Sequence, residues 1–268
     1  MKRNSTIIVS AALGVAAALT TTGTATAASA GINYVALGDS YSSGVGTGNY
    51  YPASGDCERS PHAYPVLWSA AHQTNSFSFV ACSGANTTDV VNNQLGSLDA
   101  GTGLVTLTIG GNDAGFTTVM EDCVIGSIGG SAACKNATDN AINYVQTTLP
   151  GRLDTVYSAI RSKAPNADVV VMGYPHLYTL GGSCVIGIGD TSRSYLNHAA
   201  DVLDDTIAKE AANEGVHFAD VRDIFANHGI CSSDRWLNSV TLPLSDSYHP
   251  NVKGHAYGYL PVLDSVTG

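Results

Sequence analysis

Apolar residues recur along this chain in two rhythms. Nearly unbroken apolar runs occupy 34–37, 77–81, 104–109, 167–173 and 216–219. Runs that short, rich in Val, Ile and aromatic residues, predict buried strands. Between them the spacing lengthens. Ile142, Val145, Leu149, Leu153, Val156 and Ile160 mark one face of a helix over 137–163, in which Pro150 should introduce a kink or a split. Further helices are expected over 64–71, 192–214 and 252–263, and 114–136 reads as irregular.

Strands alternating with helices, each strand apolar at almost every position, predict an α/β domain. Its central sheet is mostly parallel and is covered by helices on both faces, a three-layer α/β/α sandwich. In such sheets ligands meet the carboxyl ends of the strands. Ser40, Gly84 and Asn112 each follow a predicted strand, so they should gather along one edge.

The N-terminal pattern is of another kind. Lys2 and Arg3 precede an apolar run over 7–19, and small residues follow to Ala28-Ser29-Ala30. A charged start, a short apolar core and an A-x-A site describe a secretory signal peptide over 1–30. The run falls short of the about 20 residues a membrane span needs. No later segment is long and apolar enough to cross a bilayer, so no transmembrane segment is expected. Residues 31–268 then form one domain of a secreted, extracellular protein.

Charge narrows the partners. The sequence holds 12 Lys and Arg against 22 Asp and Glu, a net charge of −10. Losing Lys2 and Arg3 with the leader makes the body more acidic still. Phosphate backbones would repel it, so no nucleic acid is expected. Six cysteines follow the leader: Cys57, Cys82, Cys123, Cys134, Cys184 and Cys231. An even count in an exported chain reads as disulfides. Pairing neighbours in chain order is the simplest arrangement. No C-x-x-C or H-E-x-x-H occurs, so spacing supports no metal. The run Gly44-Val45-Gly46-Thr47-Gly48 follows a strand but lacks G-x-G-x-x-G spacing, so no nucleotide cofactor is expected. It reads as a flexible loop.

The remaining candidates carry chemistry. Ser40 sits where a sheet presents a nucleophile. A serine hydroxyl needs a base within hydrogen-bond reach, and histidine titrates near neutrality. His249, pinned by Pro250 and preceded by Asp246, is the candidate base, with Asp246 placed to hold its tautomer. An oxyanion formed at Ser40 needs fixed donors. The backbone N–H groups of Ser40 and Gly84 and the side-chain amide of Asn112 are available. Taken singly, each is an ordinary turn residue or helix cap. Their joint order gives them weight.

That order resembles the SGNH (GDSL) hydrolase family. Gly38-Asp39-Ser40 matches its first block, Gly84 its second, Gly110-Gly111-Asn112-Asp113 its G-x-N-D third, and Asp246-Ser247-Tyr248-His249 its D-x-x-H last. The chain is similar more narrowly to secreted Streptomyces-type lipases and phospholipases A. The resemblance implies Ser40 as nucleophile, His249 as base, an oxyanion hole from Ser40, Gly84 and Asn112, and three local disulfides. It implies a metal-independent, cofactor-free hydrolase of lipid acyl esters, a monomer in transient contact with a lipid surface. Tyr41 stands where many members have Leu, giving G-D-S-Y. In some such relatives a main-chain carbonyl orients the histidine. The Ser247 carbonyl is therefore an alternative to the favoured Asp246. An extracellular carbohydrate esterase, of the acetyl xylan type, would share these blocks, and a binding module would need no serine–histidine pair.

Overall fold

The computed structural model describes Met1 and residues 31–72, 74–125, 131–182, 184 and 187–268. The expected leader over 1–30 lies, apart from Met1, outside the described residues. The chain from Gly31 to Gly268 forms one compact unit.

Among the described residues five strands build the sheet: β1 (Asn33–Ala36), β2 (Ser76–Phe79), β3 (Leu104–Leu107), β4 (Asp168–Met172) and β5 (His217–Ala219). Their order is β2-β1-β3-β4-β5, and every pairing is parallel. Tyr34 sits opposite both Phe77 and Leu104. Successive strand residues point to opposite faces. Tyr34, Val35, Ala36 and Leu37 are all buried, as are Leu104, Val105 and Leu107, so both faces are covered. The three-layer α/β expectation therefore holds.

The helices are α1 (Ser40–Ser43), α2 (Tyr64–Ala71), α3 (Thr87–Asp89), α4 (Phe116–Ile125), α5 (Ala132–Thr147), α6 (Leu149–Lys163), α7 (Asp190–Glu214), α8 (Arg222–Phe225) and α9 (Leu260–Thr267). α2 packs against α9, while α5 packs against α6 and α7. Pro150 splits the long helix, because a proline fits the first turn of α6 and not the middle of one continuous helix. The irregular reading of 114–136 is corrected. Val119, Met120 and Cys123 bury one face of α4, and the Cys123–Cys134 disulfide ties α4 to α5. The C-terminal helix begins as a wide π-type turn, Gly254–Tyr259, and runs on to Thr267. The other disulfides are Cys57–Cys82 and Cys184–Cys231, so the six cysteines pair in chain order. Among the described residues no helix is long and apolar enough to cross a membrane.

One feature of this order positions the site. From β1 the chain moves outward to β2, then returns past β1 to β3. The crevice at the carboxyl ends of β1 and β3 is the topological switch point, where sheets of this class take ligands. Ser40 lies beyond β1 and Asn112 beyond β3.

Candidate active site

Beyond β1 the backbone must turn tightly beside β3. Gly38 adopts φ +116°, and a Cβ there would lie 2.6 Å from the Thr108 carbonyl oxygen. The Gln94 side chain holds this turn at both ends. Its Oε1 accepts from Gly38 N at 2.7 Å, and its Nε2 donates to Gly38 O at 2.8 Å. Asp39 then caps α1, with Oδ1 accepting from Tyr41 N at 3.0 Å. Ser40 is the first residue of α1, so its N–H has no acceptor within the helix.

The last block of the sequence folds onto this turn. His249 Nε2 lies 2.8 Å from Ser40 Oγ, and His249 Nδ1 lies 2.9 Å from the Ser247 carbonyl oxygen. A carbonyl can only accept, so Nδ1 carries the proton. Nε2 then offers its lone pair to the Ser40 hydroxyl. The ring sits half-buried near Tyr41 and Phe116, at centroid distances of 5.2 and 6.3 Å. Burial pushes its pKa down to about 4, against the upward pull of the Ser247 and Ser245 carbonyls and the Asp246 charge. The imidazole is neutral at neutral pH.

Asp246 does not make the hydrogen bond expected of it. Its Oδ1 accepts from the Tyr50 hydroxyl at 2.5 Å, and the Ser247 carbonyl takes the place beside Nδ1. Tyr50 OH also accepts from Gly46 N at 3.0 Å. Tyr50 is thus a tie between two loops. Gly46 is part of the same fit, because a Cβ there would lie 2.7 Å from His249 Cβ. Tyr248 adopts φ +66°, a strained conformation for a residue of that size. Its carbonyl accepts from Tyr41 OH at 2.7 Å, and its N–H donates to Asn238 O at 3.0 Å. Tyr41 therefore links α1 to the residue preceding His249.

The structure brings Ser40, Gly84, Asn112 and His249 to the walls of one cleft of about 590 Å³. The loops carrying Gly84 and Asn112 are joined by consecutive residues. Asn112 Nδ2 donates to Ala85 O at 2.9 Å. The Asp113 carboxylate accepts from Thr87 N at 2.9 Å and Thr87 Oγ1 at 2.6 Å. A second, smaller cavity of about 80 Å³ opens beside Ser40 and Asn112. Its far wall is apolar, with Phe116, Val145, Leu196 and Leu203 among its lining.

Sequence reasoning missed Tyr174. Its hydroxyl donates to Asp39 Oδ2 at 2.5 Å and accepts from Gly111 N at 3.4 Å, so it bridges the Ser40 and Asn112 loops. Asp39 is 2% exposed and also accepts from Thr108 Oγ1 at 2.6 Å. Burial pushes its carboxyl up to about 6, although these donors oppose the shift.

Comparison with known proteins follows the same lines. The profile of the GDSL-like Lipase/Acylhydrolase family matches residues 36–257. Lipase 1 of Streptomyces coelicolor is 53% identical over 255 residues, covering 94% of this chain and 94% of that protein. The crystal structure of the extracellular lipase from Streptomyces rimosus superposes with a TM-score of 0.84 at 52% identity, covering 88% of this chain and 100% of that one. The crystal structure of phospholipase A1 from Streptomyces albidoflavus NA297 gives a TM-score of 0.84 at 54% identity, covering 88% of this chain and 99% of that one.

Proposed function

The chain belongs to the GDSL-like lipase/acylhydrolase family, and we propose that it is a secreted enzyme cleaving the acyl esters of lipids through an acyl-enzyme on Ser40. The observation that carries this reading is the 2.8 Å contact from Ser40 Oγ to His249 Nε2, with Nδ1 proton-bearing against the Ser247 carbonyl.

His249 Nε2 takes the hydroxyl proton as Ser40 Oγ bonds to the ester carbonyl carbon. The carbonyl oxygen becomes an oxyanion, met by the N–H groups of Ser40 and Gly84 and by Asn112 Nδ2. The C–O bond to the alcohol breaks, and the alcohol leaves with the proton from His249. Water then gives a proton to His249, attacks the acyl carbon and releases the fatty acid, returning the proton to Ser40. The Ser247 carbonyl fixes the imidazole and accepts from it throughout. Asp246 contributes its charge and, through Tyr50, the position of the loop. Removing one oxyanion donor typically costs about 10²–10³ in rate, so Asn112→Ala should lose that much kcat.

The apolar cavity beside Ser40 supports a hydrocarbon acyl group as substrate. The relatives' descriptions as lipases and a phospholipase A1 support the same class. The leader expected over 1–30 supports export, and N-terminal sequencing of protein from culture medium should begin near Gly31. The deciding experiment pairs a panel of long-chain phosphatidylcholine, triacylglycerol and acetylated xylan with fluorophosphonate labelling. We expect fatty acid from the lipids, label on Ser40, and neither from Ser40→Ala. Full activity in Ser40→Ala, or acetate release from xylan alone, overturns the reading.

A further inference from the structure

Beside the cleft, the chain leaves a cluster of aliphatic side chains in water. Val240, Leu242 and Leu244 are 58%, 85% and 68% exposed. They lie in the segment 239–245, Ser-Val-Thr-Leu-Pro-Leu-Ser, which holds no ionisable side chain. Isolated exposed aliphatic side chains are ordinary, but three within five residues at one rim call for a partner.

The segment is held in shape. The Ser247 side chain accepts from Thr241 N at 3.0 Å and donates to Thr241 O at 3.3 Å. Asp246 N donates to Pro243 O and Ser247 N to Leu244 O, both at 3.1 Å. Asn238 Nδ2 ties the base of the segment to Gly46 O at 2.7 Å and Asp246 O at 3.1 Å. The Thr241 backbone is thus fixed to Ser247 while its neighbours project into solvent. Little ordering is needed for the tip to bind.

The geometry points to this tip, Val240 to Leu244, as a docking element that inserts into a neutral or zwitterionic lipid surface and sets the cleft mouth against it. Val240 and Leu244 line the same cleft as Ser40 and His249, so the apolar rim is continuous with the reacting centre. The chain's net charge of −10 disfavours an anionic surface, and the tip offers no cation to one. A second copy of the chain is the poorer occupant. Three aliphatic side chains fall well short of the about 800 Å² per partner that a stable dimer buries. The inference rests on the lipid-ester reading above and adds the surface by which the enzyme meets its substrate.

The test uses Leu242, which is exposed but does not line the cleft. In a Ser40→Ala background, which leaves vesicles intact, partition onto phosphatidylcholine vesicles is measured by co-sedimentation with and without Leu242→Asp. We expect partition to fall about tenfold or more. In the active enzyme, Leu242→Asp should leave p-nitrophenyl acetate hydrolysis in solution within about twofold, while vesicle hydrolysis falls in step with partition. Leu242→Trp supplies a second readout. Trp68 and Trp236 are buried, so a blue shift of emission on adding vesicles reports the tip alone. Unchanged partition in Leu242→Asp, or no shift in Leu242→Trp, overturns the inference. So does a wild-type dimer in solution that Leu242→Asp dissolves, which would give the tip to a second copy. If vesicles are bound through Leu242 but no lipid yields fatty acid, the substrate reading fails and the docking tip stands.

Discussion

The His249 imidazole is oriented by a backbone atom two residues away: Nδ1 lies 2.9 Å from the carbonyl oxygen of Ser247. The nearest carboxylate in sequence, Asp246, is instead engaged by the Tyr50 hydroxyl at 2.5 Å. A carbonyl fixes the tautomer as a carboxylate would, but carries no full charge to stabilise the imidazolium. Asp246 supplies part of that charge from a distance, since it raises the His249 pKa without touching the ring.

Asp246→Asn should therefore be a mild substitution. An aspartate that directly holds the histidine tautomer loses about 10⁴ in turnover when replaced by asparagine. Here we expect kcat on p-nitrophenyl butyrate to fall by less than about tenfold, with the tautomer preserved by Ser247. Asn retains an acceptor for Tyr50, so the loop should hold its place. A loss near the full 10⁴ would return the orienting role to Asp246.

Much of this site was legible in the chain, for a physical reason. A parallel sheet exposes its carboxyl ends, so Ser40 and Asn112 could be placed at one edge from the strand pattern alone. Tyr174 follows β4 by two residues and obeys the same rule. It escaped because a tyrosine beside a proline also reads as packing. The choice between Asp246 and Ser247 could not be read from the four adjacent residues 246–249, since it depends on a hydroxyl at position 50. The irregular reading of 114–136 failed similarly, because α4 draws its order from α5 and a disulfide rather than from its own spacing.

The pH–rate profile should carry the signature of a buried base. In the proposed mechanism His249 must be neutral to accept the Ser40 proton, so activity should be lost as pH falls through its pKa. Burial has moved that pKa from 6.5 down to about 4. The acid limb of kcat/KM, which reports the free enzyme, should accordingly lie well below pH 6.5, with full activity retained at pH 6. Asp246→Asn removes an upward influence and should shift the limb further down. A wild-type limb centred at 6.5 or above would mean that water reaches the ring freely.

Asp39 titrates with the opposite sign. Its folded pKa is raised from 3.8 to about 6, so the folded state holds a proton that the unfolded chain has released over that interval. Stability from this group is full below pH 3.8 and declines as pH rises toward 6, by on the order of 3 kcal/mol. Asp39→Asn abolishes the decline. We expect its stability relative to wild type, from urea denaturation, to improve as pH is raised from 4.5 to 7. The comparison cancels every titration common to both proteins. A difference that stays flat with pH would place the Asp39 pKa near its ordinary value. Catalysis should move the other way, because asparagine presents one fewer acceptor to Tyr41 N, Thr108 Oγ1 and Tyr174 OH, which together hold the Ser40 turn.

Acyl-chain length should be set by the small cavity beside Ser40. Ala141, Ala199 and Ala200 are small residues in its walls, and each comes from a helix packed over the site, α5 or α7. Ala199→Leu adds three carbons to a space of about 80 Å³. Because Ala199 keeps some exposure, the larger side chain can be accommodated without rebuilding the core. The reacting groups are untouched, so p-nitrophenyl acetate should be hydrolysed within about twofold of wild type. The palmitate ester needs the filled volume. Each methylene excluded from an apolar site forfeits about 0.8 kcal/mol, so losing even two positions lowers kcat/KM roughly tenfold. We expect the palmitate-to-acetate ratio to fall by at least that factor, with Tm unchanged or slightly raised by the filled void. A ratio that does not move would send the acyl chain along the larger cleft, past Met120 and Val124, rather than into the cavity beneath α7.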